Sequence, residues 1–406
     1  MWLRLALAAG LTAALAGCAA REAAAPTVAM PPAAAAPSPE MARMMARMQA
    51  MPMTKPVESP EAYTPAETVK GGAGAAFETV SAAAAGLSPA GLAAAQAYAD
   101  AQASFALIVA KGGRIVHEHY AEGFGPDSKF ATASMHKAVV ALAYGAAIKA
   151  GKLSLDDRLD RHLTEFSGRP EGAITLRQLL QMAGGLNPPP GDGKGAPPLF
   201  AQLMFAEDIR AAAAKHVQVA PAGTVFSYSN ASTQLAGMAL EAALGEPYGP
   251  WLSRTLWAPL GAGDAEIWLD REGGNPHFFC CLQARPRDWL RVGELLRLEG
   301  RVGTAQVVDA DWVRTVTAPS PLNPNFGMNI WRGAPHAPLR GYGLGVALKV
   351  AAEQPFARDD AIYIDGAGGQ RVYVVPSEEL VIIRIGKPST NWDNSTLVNL
   401  VLGGAN

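Results

Sequence analysis

The sequence Ala131-Thr132-Ala133-Ser134-Met135-His136-Lys137 opens an apolar stretch that continues to about Ala150 and stops at Gly151. An apolar stretch of this length with glycine at its end predicts a helix. Ser134 and Lys137 would then share one face of its first turn. A buried lysine with a lowered pKa can remove the proton of a serine hydroxyl and make it nucleophilic. A serine that only caps the helix remains the alternative for this tetrapeptide alone.

A second segment, Phe226-Ser227-Tyr228-Ser229-Asn230, precedes another apolar stretch and holds the one Tyr-x-Asn of the chain. A tyrosine hydroxyl close to a Ser–Lys pair could pass a proton to a leaving group. Asn230 could orient Lys137. The alternative is that Asn230 caps the following helix and Tyr228 packs in the core.

A third segment, Ile364-Asp365-Gly366-Ala367-Gly368-Gly369-Gln370, stands immediately before a β-branched stretch. Glycines at such a position allow the backbone to approach a neighbour closely, so that a main-chain N–H can face a substrate carbonyl. A simple hairpin turn is the alternative.

The flanking patterns predict the fold. They predict a helix at each end of the globular region, strands near both ends and helices between them. The predicted helices are Ala90–Ala103, Leu176–Leu180 and Asn391–Leu402, and the predicted strands are Phe105–Val109, Arg114–His119, Gly341–Val350, Ala361–Asp365, Arg371–Val375 and Leu380–Ile385. This order predicts an α+β fold, with an antiparallel sheet built from both chain ends, flanking helices and an inserted, mainly helical subdomain.

The N-terminal residues indicate export. Arg4 precedes the apolar run Leu5–Leu15, which is too short to span a bilayer and is typical of a signal peptide. It ends in Leu15-Ala16-Gly17-Cys18, which resembles a bacterial lipobox. We therefore expect a signal peptide over 1–17 and a lipid anchor on Cys18, at the periplasmic side of the outer membrane, in the cell envelope. An ordinary secretory signal is the alternative.

Composition bounds the rest of the chain. Residues 18–75 are rich in Ala, Pro and Met, which predicts an unstructured tether before one domain over 76–406. The net charge of −2 provides no basic field, which excludes a nucleic-acid partner. Three cysteines exclude a disulfide scaffold. Cys280 and Cys281 are expected to stay unbridged because adjacent cysteines would close a strained ring. His136 is expected to face solvent.

Taken together, the three segments resemble the serine β-lactamase/penicillin-binding superfamily, on the branch of class C β-lactamases, family VIII carboxylesterases and 6-aminohexanoate-dimer hydrolases. Supporting sequences are Gly151-Lys-Leu-Ser-Leu-Asp-Asp157, Ile174-Thr-Leu-Arg-Gln-Leu-Leu180, Gly184-Gly-Leu186, Leu260-Gly261 and Arg287-Asp-Trp-Leu-Arg-Val-Gly293. The resemblance implies an acyl-enzyme mechanism without metal or cofactor. It implies that Ser134 is the nucleophile, Lys137 the base, Tyr228 the proton relay and Asn230 a supporting residue, with the backbone N–H groups of Ser134 and Ala367 as the oxyanion hole.

The chain departs from this family at the third segment. Ile364-Asp365-Gly366 stands where β-lactamases usually carry Lys-Thr-Gly, so the cation that would hold a substrate carboxylate is missing. With Asp365 and Gly366 as substrate-binding residues, we expect a small-molecule substrate: a neutral ester, or an amide whose free amine meets Asp365. A lactam substrate, for a class C-type β-lactamase or a cell-wall D-peptidase, is the alternative, and a non-catalytic ligand-binding relative is the second.

Overall fold

The computed structural model describes residues 38–187, 199–343 and 349–403. Residues 1–17, Cys18 and the first part of the predicted tether lie outside these ranges. Within them, the helices are α1 Pro39–Ala50, α2 Pro89–Ala101, α3 His136–Lys149, α4 Leu159–His162, α5 Leu176–Leu180, α6 Leu199–Phe205, α7 Ile209–Ala214, α8 Asn230–Leu244, α9 Tyr248–Leu252, α10 Pro286–Arg297, α11 Ala310–Thr317 and α12 Thr396–Val401. Short 3₁₀ turns include Ala133–Met135, and a π-helical turn spans Ser253–Trp257.

The strands of the described residues form two principal sheets and three small two-stranded pairs. They are β1 Ala66–Val69, β2 Ser104–Lys111, β3 Arg114–Tyr120, β4 Phe130–Ala131, β5 Leu186–Asn187, β6 Val217–Gln218, β7 Ala265–Trp268, β8 Leu282–Ala284, β9 Arg301–Val302, β10 Ala305–Gln306, β11 Trp331–Arg332, β12 Leu339–Gly341, β13 Lys349–Ala351, β14 Ile362–Gly366, β15 Gln370–Val375 and β16 Leu380–Gly386.

The larger sheet is antiparallel throughout and has the order β11-β14-β15-β16-β2-β3. The C-terminal strand β16 pairs with the early strand β2 along its whole length. The sheet is therefore built from both ends of the chain with helices inserted between them, which confirms the predicted α+β architecture.

Both faces of this sheet are covered, because its side chains alternate between two apolar cores. Ile383 belongs to the core shared with α3, α8 and α10, and its neighbour Ile382 to the core shared with α2 and α12. Helix α3 is buried along almost its full length, so it carries apolar residues on all sides. Its N-terminal end meets the sheet at the end of β14, which positions the site.

The tether prediction needs correction from Pro39 onward. Residues 39–75 are part of the same compact unit as the rest of the domain, which extends from Pro39. Strand β1 pairs antiparallel with β7, and the ring of Tyr63 meets Trp268 edge-on at 5.2 Å. The prediction of disorder rested on the Ala, Pro and Met content and overlooked the helical spacing of Met41, Met44 and Met48, which pack on the core. The segment is ordered by contacts with residues far along the chain.

Two smaller predictions also change. The stretch Gly341–Val350 is not one strand, because it contains the end of β12 and the start of β13, which pair antiparallel with each other. Residues 344–348 lie outside the described residues. The final helix begins at Thr396 rather than Asn391, because Asp393 Oδ1 accepts hydrogen bonds from the backbone N–H groups of Ser395 and Thr396. None of the helices in the described ranges is both long enough and apolar enough to cross a bilayer.

Candidate active site

Ser134 lies in the 3₁₀ turn that leads into α3. The turn begins at Ala133, whose φ of 50° lies in the left-handed region that non-glycine residues rarely adopt. The Cys281 N–H donates to the Ala133 carbonyl at 2.9 Å, and the Thr132 hydroxyl donates to the Leu282 carbonyl at 3.3 Å. Main-chain contacts from a distant segment therefore hold the turn that presents Ser134.

Lys137 is buried directly beside Ser134, with 1% of the residue exposed. Its Nζ donates to Ser134 Oγ at 2.7 Å and to the carbonyl oxygen of Phe279 at 2.6 Å. Burial lowers the pKa of Lys137 well below its ordinary value, and the charge of Asp365 opposes this only in part. A lysine amine that loses its proton so readily is suited to take the proton of Ser134.

His136 does not face solvent, so the prediction from sequence is wrong. The ring is fully buried, and its Nδ1 lies 3.1 Å from the His277 carbonyl and 3.3 Å from the Cys280 carbonyl. Burial lowers its pKa to about 4, so the ring is neutral near pH 7. Through these two carbonyls, His136 links the start of α3 to the segment 277–280. This link helps to position the Phe279 carbonyl, which Lys137 contacts.

Cys280 and Cys281 form a disulfide, which corrects the expectation that they stay unbridged. Both residues are almost completely buried and both line the cavity in front of Ser134. Cys281 has a φ of 70°, and its N–H is the donor that fixes Ala133. The bridge thus belongs to the wall of the site and to the support of the nucleophile turn.

Tyr228 approaches Ser134 from the loop before α8. Its N–H donates to the Tyr342 carbonyl at 2.8 Å, and its ring stacks on Trp331 at 5.9 Å. Tyr228 and Ser134 line the same cavity, and the Ser134 side chain is among the groups that act on the pKa of Tyr228. Burial, followed by the charge of Asp365, raises the pKa of Tyr228, so the phenol keeps its proton at neutral pH. Lys137 Nζ lies 5.1 Å from the centre of the ring.

Asn230 lies at the first position of α8 and lines the same cavity. The structure gives Lys137 its two hydrogen-bond partners elsewhere, in Ser134 and Phe279. Among the described residues, the Phe279 carbonyl rather than Asn230 therefore orients the Lys137 amine. No sequence motif indicated this role of Phe279.

The end of β14 lies against the nucleophile turn. A Cβ on Gly366 would stand 2.4 Å from the Thr132 carbonyl oxygen, so only glycine allows this approach. Ala367 follows and lines the cavity together with Ser134, whereas Gly368 and Gly369 turn the chain with φ values of 76° and 89°. Ser134 and Ala367 thus face one space, the arrangement that an oxyanion hole requires.

Asp365 does not offer a free carboxylate, which corrects its predicted role toward a substrate amine. Its Oδ2 accepts from Arg340 Nη2 at 2.7 Å and from the Tyr342 hydroxyl at 2.6 Å, and its Oδ1 accepts from Arg371 Nη1 at 2.5 Å. Burial alone would raise the pKa of Asp365, but the charges of Arg371 and Arg340 lower it below its ordinary value. Two buried cations around one anion leave this corner without net negative charge.

The cavity in front of Ser134 has a volume of about 660 Å³, which is in the range of small-molecule sites. Its polar corner holds Ser134, Tyr228 and Asn230. Much of the remaining wall is apolar, and comes from Met51, Met53, Val57, Leu203, Met204, Phe205 and Phe279. Among the residues that the structure describes, no group of three or more His, Cys, Asp or Glu side chains is placed to hold a metal ion.

The chain is similar to several proteins of known sequence or structure. The family model described as Beta-lactamase matches residues 90–387. A 6-aminohexanoate-dimer hydrolase of Paenarthrobacter ureafaciens is 26% identical over 231 residues, which cover 52% of this chain and 57% of that relative's length. A protein of Bacillus anthracis assigned as a 6-aminohexanoate-dimer hydrolase has a similar structure, with a TM-score of 0.68 and 19% identity over 88% of this chain and 93% of that one. A class C beta lactamase of Rhodobacter sphaeroides gives a TM-score of 0.55 and 20% identity, over 77% and 97% of the two chains.

Proposed function

This chain belongs to the beta-lactamase family, and we propose that it is a serine hydrolase that cleaves carboxylic esters or small amides through an acyl-enzyme on Ser134. The observation that carries the proposal is the 2.7 Å contact between Lys137 Nζ and Ser134 Oγ, made by a lysine whose pKa burial lowers well below its ordinary value. This contact joins a nucleophile to a base, which is the minimum that acyl transfer requires.

The first step is attack on the substrate carbonyl. Lys137, in its neutral form, takes the proton of Ser134 as Oγ bonds to the carbonyl carbon. The carbonyl oxygen becomes an oxyanion, which the backbone N–H groups of Ser134 and Ala367 stabilise. Donors that are fixed before the reaction stabilise such charge without reorganisation, and one of them is typically worth about 10²–10³ in kcat.

The second step releases the leaving group. Tyr228 keeps its proton at neutral pH and lines the same cavity as Ser134, so it is placed to donate to the departing oxygen or nitrogen. The Lys137 ammonium then restores the proton of Tyr228. Water attacks the acyl-enzyme and gives its proton to Lys137, which returns it to Ser134 Oγ as the carboxylic acid departs.

The mostly apolar cavity favours neutral esters and small amides as substrates. A β-lactam is the second candidate, and the pairing of Asp365 with Arg340 and Arg371 is the observation that favours it. The expected repulsion between Asp365 and a substrate carboxylate does not arise, because two buried guanidinium groups bring two positive charges to the one negative charge of Asp365.

A substrate panel tests the proposal. Residues 19–406 and the Ser134→Ala variant would be assayed on p-nitrophenyl esters, an aminohexanoate dimer and nitrocefin. We expect ester or amide turnover that is lost in Ser134→Ala, with slow or absent nitrocefin hydrolysis. Rapid nitrocefin hydrolysis by Ser134 would favour the β-lactamase. Ligand binding without turnover would favour the non-catalytic relative.

We also propose that the enzyme is held in the cell envelope by a lipid on Cys18. The support is the sequence Leu15-Ala16-Gly17-Cys18 after a short apolar run. Expression of the full chain with radiolabelled palmitate tests this. Label and membrane sedimentation that both disappear in Cys18→Ser would support the anchor, whereas an unlabelled wild-type protein would contradict it.

A further inference from the structure

The cavity in front of Ser134 has an apolar wall formed by two segments that are far apart in the chain. Met51, Met53 and Val57 come from the N-terminal segment, and Leu203 and Phe205 come from α6. We define the apolar wall as these five residues. The polar corner with Tyr228 comes instead from the loop before α8.

The N-terminal part of this wall is anchored firmly. The Ala131 N–H donates to the Val57 carbonyl at 3.0 Å, and the Tyr63 hydroxyl donates to the Pro56 carbonyl at 2.6 Å. In α1, Arg47 Nη1 donates to the carbonyls of Ala206 and Asp270, each at 2.7 Å. These hydrogen bonds join the N-terminal segment to β4, to the residue after α6 and to the loop after β7. They therefore fix the position of the segment along the cavity.

Charged groups are scarce around the cavity. Among the described lining residues, Asp365 is already paired with two arginines, and burial lowers the pKa of His216, which is therefore neutral near pH 7. None of the five residues of the apolar wall has a charged or hydrogen-bonding side chain, so a charged substituent placed against that wall would lose its hydration without gaining a partner. An unbranched hydrocarbon chain would lose nothing and would bury its surface.

We propose that the apolar wall is the subsite for the acyl chain of the substrate, and that the enzyme prefers esters of medium-length, unbranched fatty acids. This proposal rests on the proposed function, because the acyl-enzyme mechanism decides which side of the scissile bond holds the leaving group and which holds the acyl chain. Tyr228 donates to the leaving group, so the leaving group lies at the polar corner. The acyl chain therefore extends the other way, over Met51 and Leu203.

The size of the preference follows from burial. Each methylene removed from water contributes about fourfold to kcat/KM when it is fully buried. Methionine side chains suit such a subsite, because they are flexible and adapt their shape to chains of different length. The activity should therefore rise from acetate toward octanoate and level off where the wall ends.

The test compares chain length on each side of the scissile bond. kcat/KM is measured for p-nitrophenyl acetate, butyrate, hexanoate and octanoate, and for octyl acetate beside ethyl acetate. We expect a rise with acyl length and little gain from the longer alcohol. In Met51→Gln the octanoate-to-acetate ratio of kcat/KM should fall about tenfold. Met53→Gln should lower the same ratio, and because Met53 is 67% exposed this substitution does not put folding at risk. Thr54→Gln, at an exposed position of the same turn that does not line the cavity, should leave the ratio unchanged.

A binding measurement separates this inference from the proposed function. Calorimetry with 1-butanol, 1-hexanol and 1-octanol on Ser134→Ala needs no catalysis. Affinity that rises with chain length, and loses that rise when Met51→Gln is added, supports the subsite even if the wild-type enzyme hydrolyses no ester. An equal chain-length ratio in Met51→Gln and wild type, or a preference that follows the alcohol rather than the acyl chain, would overturn the proposal.

Discussion

The amine nitrogen of Lys137 lies 2.7 Å from Ser134 Oγ and 2.6 Å from the main-chain carbonyl of Phe279. Neither of these partners carries a charge. The nearby carboxylate of Asp365 is engaged by Arg340 and Arg371. A buried amine with neutral partners holds its proton weakly, so this geometry supports the proposed role of Lys137 as a base.

Replacement of Lys137 by methionine should abolish the proposed base. We expect Lys137→Met to lower kcat by about 10²–10⁴ on p-nitrophenyl esters, the usual contribution of a general base. In the wild type, kcat/KM should rise with pH on an acid limb that lies well below the ordinary lysine pKa of 10.5. That limb should be absent from the residual activity of the variant.

The same lysine makes stability depend on pH. Its pKa is lowered in the folded state, so below the ordinary value of 10.5 the unfolded chain binds a proton that the folded chain does not. The free energy of unfolding of the wild type, relative to Lys137→Met, should therefore increase as pH rises toward 10.5. Urea denaturation at several pH values measures it. A difference between the wild type and Lys137→Met that does not change with pH would contradict the lowered pKa of Lys137.

Removal of the Tyr228 hydroxyl should affect poor leaving groups most. Tyr228→Phe keeps the ring contact with Trp331 but removes the proton donor. We expect kcat to fall about 10²–10⁴ for alkyl esters and amides, and less for p-nitrophenyl esters, whose leaving group departs without a proton. Steady-state kinetics on both series measures this, with Tyr98→Phe on α2 as a remote control. An equal loss on both series would argue against a proton relay.

Asp365 should contribute to stability through its two arginines. Asp365→Asn leaves two guanidinium groups buried with no anion, and we expect a loss of about 3–5 kcal/mol in the free energy of unfolding. The exposed pair Arg314–Asp311 offers the matched control, because solvent screens its charges and Asp311→Asn should therefore cost much less than Asp365→Asn. Equal losses in the two variants, measured by denaturant titration, would show that the buried cluster does not act as described.

The N-terminal segment should behave as part of the domain. Tyr63 is 7% exposed and contacts Trp268, so Tyr63→Ala should lower the free energy of unfolding by about 3 kcal/mol. Glu61→Ala, at an exposed position two residues earlier, should change it by less than about 0.5 kcal/mol. A Tyr63→Ala protein as stable as the control would mean that this segment does not pack on the domain in solution.

The members of the proposed catalytic group could be singled out from the sequence because they lie in short local patterns. Ser134 and Lys137 share a helical turn and Tyr228 precedes a second apolar helix, so spacing marked them as candidates but left a purely structural role open for each motif. The strands near both chain ends alternate clearly enough that their joining into one sheet could be expected. Family resemblance then supplied the roles that spacing leaves open.

The remaining parts of the site depend on contacts between distant segments, which leave no local pattern. The Phe279 carbonyl that positions Lys137 comes from a main-chain group, which any residue could supply. Arg340 neutralises Asp365 across 25 positions in the sequence. Met51 and Val57 were assigned to a tether because their composition resembles a linker; their order comes from Tyr63 and Arg47, whose partners lie more than 150 residues away.

The most direct measurement is the location of the acyl group during turnover. The enzyme would be mixed with p-nitrophenyl butyrate, quenched with acid within milliseconds and digested with trypsin. Cleavage after Lys129 and Lys137 isolates the peptide Phe130–Lys137, which contains Ser134. Mass spectrometry should find a butyryl group on Ser134 in the wild type and none in Ser134→Ala. A butyryl group on another residue, or unchanged ester hydrolysis by Ser134→Ala, would contradict the acyl-enzyme.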